Sequence, residues 1–178
     1  MIEKIGIIGA GQMGNGIAHV AAVAGCSVVL LDLDQQQIDA GLETITQNLA
    51  RQVRRNLLSE SDRSAAFDRI STTLDYANFG ECDFVIETAA EDEAVKRKIF
   101  KTLIPHLSGT ALIASNTSSI SITRLATTTD RPERFIGMHF MNPVPMMDLV
   151  ELIRGLATSE ETYQEVRILA KQMGKTIS

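Results

Sequence analysis

Apolar positions along the chain fall into two kinds of run, and their alternation sets the expected architecture. Lys4 to Ile8 is a short continuous run closed by Gly9, and the next segment places Met13, Ile17, Val20 and Ala24 on one face of a helix. A second continuous run, Ser27 to Leu31, ends at Asp32. Strand, glycine turn, helix and strand in this order predict a βαβ unit, whose parallel strands are covered on both faces and so lack the alternation of a half-solvated strand. Ile38, Leu42, Ile45, Leu49, Val53 and Leu57 then recur every three or four residues, which predicts one long helix with a single apolar stripe. Ser59-Glu60-Ser61-Asp62 has the form of a capping box opening a second, shorter helix. The pair predicts a helical hairpin over about residues 35–68, projecting from the sheet.

Further apolar runs at Ile70 to Thr72, Asp83 to Glu87, Ala111 to Ser115, Arg134 to Phe140 and Leu149 to Ile153 predict the remaining strands. Val95, Ile99, Leu103 and Leu107 predict a helix between the second and third of these, and a last helix covers about Glu160 to Met173. The late strands lie close together around Pro143-Val144-Pro145, so an antiparallel edge is expected on a mostly parallel sheet. No internal repeat interrupts this order. Gly174 to Ser178 looks like the start of another strand, so the 178 residues are expected to be one domain cut from a longer protein.

Composition narrows the possible partners. With 17 basic against 22 acidic residues the formal charge is −5, which argues against broad attraction to nucleic acid or an anionic membrane. No apolar run approaches the roughly 18 residues of a membrane span, and no secretory leader precedes the first strand, so a cytoplasmic protein is expected. Cys26 and Cys82 lack metal-ligand spacing and are expected to be reduced, structural thiols, with no metal site.

The candidate chemistry begins in the first turn. In Gly9-Ala10-Gly11-Gln12-Met13-Gly14 the first glycine permits a tight turn, the second lets the backbone approach a pyrophosphate, and the third allows close packing of helix on strand. The N-terminus of the helix then offers unpaired N–H groups and a positive dipole to that pyrophosphate. Asp32, at the end of the second strand, stands where a carboxylate accepts from the adenine ribose hydroxyls and repels a 2′-phosphate. Leu33-Asp34-Gln35-Gln36-Gln37 supplies no cation for such a phosphate, so the expected cofactor is NAD and not NADP. Asp34 is the expected cap of the long helix.

A second constellation joins Gly137-Met138-His139-Phe140-Met141-Asn142-Pro143 to Leu149-Val150-Glu151-Leu152-Ile153. Glu151 lies between large apolar residues and is expected to be buried, where a carboxylate needs a cationic or donor partner. His139, one turn away on the preceding strand, fits that need; such a pair fixes the imidazole tautomer and strengthens it as a base, or serves as a structural ion pair. Ser115-Asn116-Thr117-Ser118-Ser119 ends near the same edge of the sheet, where its polar groups either contact a ligand or cap the helix beginning near Ser121. Arg51, Arg54 and Arg55 share one side of the long helix, as a phosphate contact or as a solvated charged face.

Together these motifs resemble those of the 3-hydroxyacyl-CoA dehydrogenases, including the short-chain 3-hydroxybutyryl-CoA dehydrogenases. The resemblance runs the length of the chain, most specifically in Gly9 to Gly14 with Asp32, in Ala114 to Ser119, and in Gly137 to Pro145 followed by Leu149-Val150-Glu151. It implies an α/β fold of the Rossmann type, with a doubly wound, mostly parallel sheet and the helical hairpin as an insertion. It also implies hydride transfer between C3 of a (3S)-3-hydroxyacyl-CoA and NAD, in fatty-acid β-oxidation or butanoate metabolism. His139 is then the general base, Glu151 its orienting carboxylate, Ser118 a contact to the C3 oxygen and Asn142 a positioning group. Gln12, Met13, Glu91, Lys96 and Asn116 join the glycines and Asp32 as cofactor contacts, and Asn48 and Arg55 touch the CoA tail. The family's C-terminal helical domain, which closes the substrate site and forms most of a homodimer interface, is expected to be missing, so the chain alone is expected to turn over acyl-CoA poorly. No hydratase domain precedes the first strand, which suits a stand-alone enzyme. A crystallin-like structural role is opposed by the intact Ser118, His139 and Glu151, and a dehydrogenase that uses a catalytic lysine by the histidine at 139.

Overall fold

The computed structural model describes residues 1–178. Its strands are β1 (Lys4–Ile8), β2 (Ser27–Leu31), β3 (Ile70–Thr73), β4 (Phe84–Glu87), β5 (Leu112–Ser115), β6 (Phe135–Phe140), β7 (Leu149–Arg154) and β8 (Thr176–Ile177). Its helices are α1 (Gln12–Val23), α2 (Gln35–Arg54), α3 (Glu60–Asp68), α4 (Glu93–Leu103), α5 (Ile122–Ala126) and α6 (Glu160–Gln172). The strands make one sheet in the order β3-β2-β1-β4-β5-β6-β7-β8. All neighbours are parallel except β6 and β7, so the expected antiparallel edge is present, and β8 extends it parallel to β7. Order reverses between β1 and β4, which opens the crevice in which doubly wound sheets hold ligands at the carboxyl ends of their strands.

The continuous apolar runs are explained by two cores, one on each face of the sheet. Ile5, Ile7, Val28, Leu30, Phe84 and Ile86 pack with α1, α2 and α6, whereas Ile8, Val29, Leu31 and Val85 pack with α4 and α5. Successive side chains point to opposite faces, so a strand covered on both sides must be apolar at every position. Cys26 and Cys82 are buried in these cores, and burial pushes the Cys82 thiol up to about 11. No helix is long and apolar enough to cross a membrane.

Asp34 caps α2 by accepting from the Gln36 N–H, and the Ser59 hydroxyl caps α3 by accepting from the Asp62 N–H at 3.0 Å. One expectation needs correction here. The stripe of the long helix does not reach Leu57: α2 ends at Arg54, Asn56 turns into the left-handed region at φ 57°, and Leu57 is exposed. The hairpin is carried on α1, and α2 makes its contacts with α1 and α3. Both α2 and α3 pack on α1, and Ile38, Ile45, Leu49 and Ala66 belong to the larger core.

Candidate functional site

The crevice begins at the glycine turn. Gly9 holds φ at +101°, open to glycine at little strain, and a Cβ on Gly14 would lie 1.7 Å from the Gly9 carbonyl oxygen. Gly11 differs, because a Cβ there would meet nothing within 4 Å. Packing does not demand that glycine, so its bareness serves whatever approaches the turn from outside. Gly11 is also the N-cap of α1 and supplies no side-chain cap, which leaves the first N–H groups of the helix free for an anion. Asp32 braces the turn: its Oδ2 accepts from the Ala10 N–H at 3.0 Å and its Oδ1 from the Asp34 N–H at 3.2 Å.

Two cavities meet along this edge. The larger, of about 720 Å³, is mainly apolar and runs from Gly9, Gly11 and Asp32 past Leu33 and Tyr76 to Val95 and Ile99 of α4. Of the helical stripe, Val95 and Ile99 line this cleft, Ile99 also packing against the core, while α4 buries Lys96, Phe100 and Leu103. The smaller, of about 310 Å³, brings together Met13, Glu91, Lys96, Asn116, Ser118, His139 and Asn142. Thr88 and Ala89 line both, so a dinucleotide can cross from one to the other. The bare Gly11, the uncapped helix start and this continuous cleft fit NAD.

His139 and Glu151 are direct partners in the antiparallel ladder, and the Nδ1–H of His139 donates to Glu151 Oε2 at 2.9 Å. A carboxylate only accepts, so in the neutral ring the proton sits on Nδ1 and the Nε2 lone pair is left for the cavity. Glu151 is not buried as expected, since its side chain is 44% exposed. Its apolar neighbours Val150 and Leu152 point to the other face of the sheet and cannot cover it.

The loops beside His139 are braced by carboxylates. Glu91 accepts from Thr117 Oγ1 at 2.6 Å and from the N–H and hydroxyl of Ser118, both at 2.8 Å. Burial raises the Glu91 carboxyl, but these hydrogen bonds and the Lys96 charge outweigh it and hold the pKa below the ordinary carboxylate value. Capping of α5 falls to Ser121, so the Ser115–Ser119 segment is not the cap of that helix. Asn116 Oδ1 accepts from the Phe140 N–H at 2.8 Å and ties the end of β5 to β6.

Sequence reasoning missed Glu87. This fully buried carboxylate ends β4 and accepts from Lys96 Nζ at 2.7 and 3.0 Å, Ser115 Oγ at 2.6 Å and the Ala89 N–H at 2.6 Å. The available signal was an acid closing a strand otherwise apolar on both faces. Gln12 opens α1 and lines neither cavity, and Glu151 stands behind His139. Asn48 and Arg55 lie apart from both cavities, toward the end of α2.

This geometry defines an NAD-binding domain of the doubly wound class. Residues 4–177 match the family model described as 3-hydroxyacyl-CoA dehydrogenase, NAD binding domain, and the chain belongs to that family. It is 54% identical over its whole length to a 3-hydroxybutyryl-CoA dehydrogenase of Bradyrhizobium diazoefficiens, of which it covers 61%. A fatty acid oxidation complex subunit alpha of Psychrobacter sp. is 42% identical over 98% of the chain, which covers 24% of that protein. Among solved structures, the (S)-3-hydroxybutyryl-CoA dehydrogenase of Ralstonia eutropha superposes with a TM-score of 0.97 at 47% identity, over 99% of this chain and 62% of its own. The chain thus spans less than two thirds of the length of these relatives.

Proposed function

We propose that this domain serves an NAD-dependent (3S)-3-hydroxyacyl-CoA dehydrogenase, with short-chain 3-hydroxybutyryl-CoA as substrate and a place in fatty-acid β-oxidation or butanoate metabolism. The observation that carries the proposal is the free Nε2 of His139, fixed by Glu151 and facing the cavity that continues into the cleft of the glycine turn. Gly9, Gly11, Gly14, Gln12, Met13 and Asp32 hold the dinucleotide, with Glu91 and Lys96 bordering its reactive end. When bound, NAD supplies the acceptor for the hydride leaving C3. His139 Nε2 takes the C3 hydroxyl proton, and Glu151 stabilises the resulting imidazolium. Asn142 and the hydroxyl oxygen of Ser118, whose hydrogen is held by Glu91, position the C3 oxygen. Asn48 and Arg55 contact the CoA tail, the latter as part of an exposed basic end of α2. Homodimerisation of the whole protein belongs to the same proposal.

The test pairs a fluorescence titration with NADH and an acetoacetyl-CoA reduction assay. The chain is expected to bind NADH, and Gly11→Ala to weaken binding by about tenfold or more without lowering Tm, because the added methyl enters only ligand space. Undiminished binding by that variant removes the cradle from the proposal, and absence of acetoacetyl-CoA turnover by the intact protein removes the substrate.

A further inference from the structure

The smaller cavity is lined by five polar side chains that carry hydrogen-bond donors besides His139, and most of those donors are committed. Thr88 Oγ1 donates to the Ile8 carbonyl at 2.8 Å. Lys96 Nζ donates to both oxygens of Glu87 and to the Ala89 carbonyl at 3.2 Å, which uses its three hydrogens. Ser118 Oγ donates its hydrogen to Glu91, whose ionised carboxylate accepts only. The His139 Nδ1–H is held by Glu151. Free donors remain on Asn116 and Asn142.

These two amides differ in how they are held. Asn142 is exposed and has no partner. Asn116 is half-buried, and its Oδ1 is pinned by the Phe140 N–H at 2.8 Å, one residue from His139. A backbone N–H must face an oxygen, so the amide orientation is settled and Nδ2 keeps both hydrogens for the cavity. A donor fixed in advance stabilises developing charge without reorganising when the charge appears.

We propose that Asn116 is a catalytic residue whose Nδ2–H donates to the C3 oxygen of the substrate while His139 Nε2 takes that oxygen's proton. The proposal rests on the dehydrogenase reading above, and it moves Asn116 from the cofactor to the reacting oxygen. In oxidation the O–H bond breaks and its proton goes to His139. The C3–H bond breaks with its electron pair, which passes as hydride to NAD, and the C3 oxygen becomes a carbonyl. Charge that builds on the oxygen between these events is met by an amide that keeps its own protons.

Asn116→Asp separates the possibilities, because the carboxylate keeps an oxygen for the Phe140 N–H and replaces the donor with an acceptor. In the intact protein at saturating NADH, N116D is expected to lower kcat for acetoacetyl-CoA reduction about 10²- to 10³-fold, the usual loss for one such donor, with the NADH Kd unchanged. A raised Kd with kcat restored at saturation returns Asn116 to the cofactor and overturns the proposal, as does no change in either. No turnover by the unsubstituted protein overturns the dehydrogenase reading and this inference with it. A readout free of substitution and turnover is the Asn116 side-chain amide resonance. It is expected to move downfield with acetoacetyl-CoA and not with butyryl-CoA, which lacks the C3 oxygen; equal shifts overturn the proposal even if N116D does not fold.

Discussion

Two acid–base pairs stand at the same edge of the sheet and are satisfied to opposite degrees. Glu87 and Lys96 are sealed, with side chains 0% and 2% exposed, and almost every donor and acceptor between them is spent on the protein. His139 and Glu151 are 21% and 44% exposed, and one ring nitrogen is left without a protein partner. Full satisfaction makes the first pair a clamp that holds the ends of β4 and β5 and the turn shared by both cavities. Incomplete satisfaction leaves the second pair a ring nitrogen to spend on a ligand, as the proposed reaction requires. Burial of a charge pair is thus a poor guide to chemistry here; the lone pair left over is the better one.

The comparison breaks most sharply at His139. His139→Gln is expected to lower turnover by roughly 10²- to 10⁴-fold while NADH binding stays intact, because only the proton acceptor is lost. Unchanged turnover in a stopped assay would end the assignment of the pair as reagent. Lys96→Met attacks the clamp and leaves Glu87 buried without its counter-charge, at a cost of about 3–5 kcal/mol. For a domain of this size that is a fall in Tm of about 6–20 °C by calorimetry. Adding Glu87→Gln is expected to recover part of the loss, since a neutral amide needs no counter-charge. Glu151→Gln, by contrast, is expected to change stability by less than about 1 kcal/mol, as befits an exposed partner.

The same contrast explains what was legible in the sequence. Patterns confined to one element were readable: the strands covered on both faces, the glycine turn, Asp32, and the two hairpin helices with Asp34 and Ser59 as caps. His139 and Glu151 were readable because one turn and an antiparallel register bring them together. The degree of exposure was not, since flanking Val150 and Leu152 say nothing about the face on which Glu151 lies. Glu87 with Lys96 and Ser115 escaped because their meeting depends on how α4 and β5 return to the end of β4. Ser118 was ambiguous for a similar reason. Its hydroxyl is claimed by Glu91, 27 residues earlier, and no local spacing announces that partner.

A third polar pair gives the smallest and most specific effect. His19 of α1 is 1% exposed; its Nε2 meets Gln52 of α2 at 2.9 Å, and its Nδ1 is buried without a partner. Burial lowers its pKa below the ordinary 6.5 and the nearby Lys175 charge adds to this, against an opposing contribution from the Gln52 hydrogen bond. The folded chain therefore refuses a proton that the unfolded chain accepts near that pH. Stability from neutral His19 is fully present above the unfolded value and is lost as pH falls through the lower folded value. Urea midpoints measured at about pH 7.5 and about pH 5.5 are expected to drop for the unsubstituted chain, and to drop less for His19→Leu, which has no proton to gain. Glu91, whose folded pKa is also lowered, titrates at more acid pH than this interval. Equal drops in both proteins would assign the acid sensitivity elsewhere and leave His19–Gln52 as a packing contact between α1 and α2.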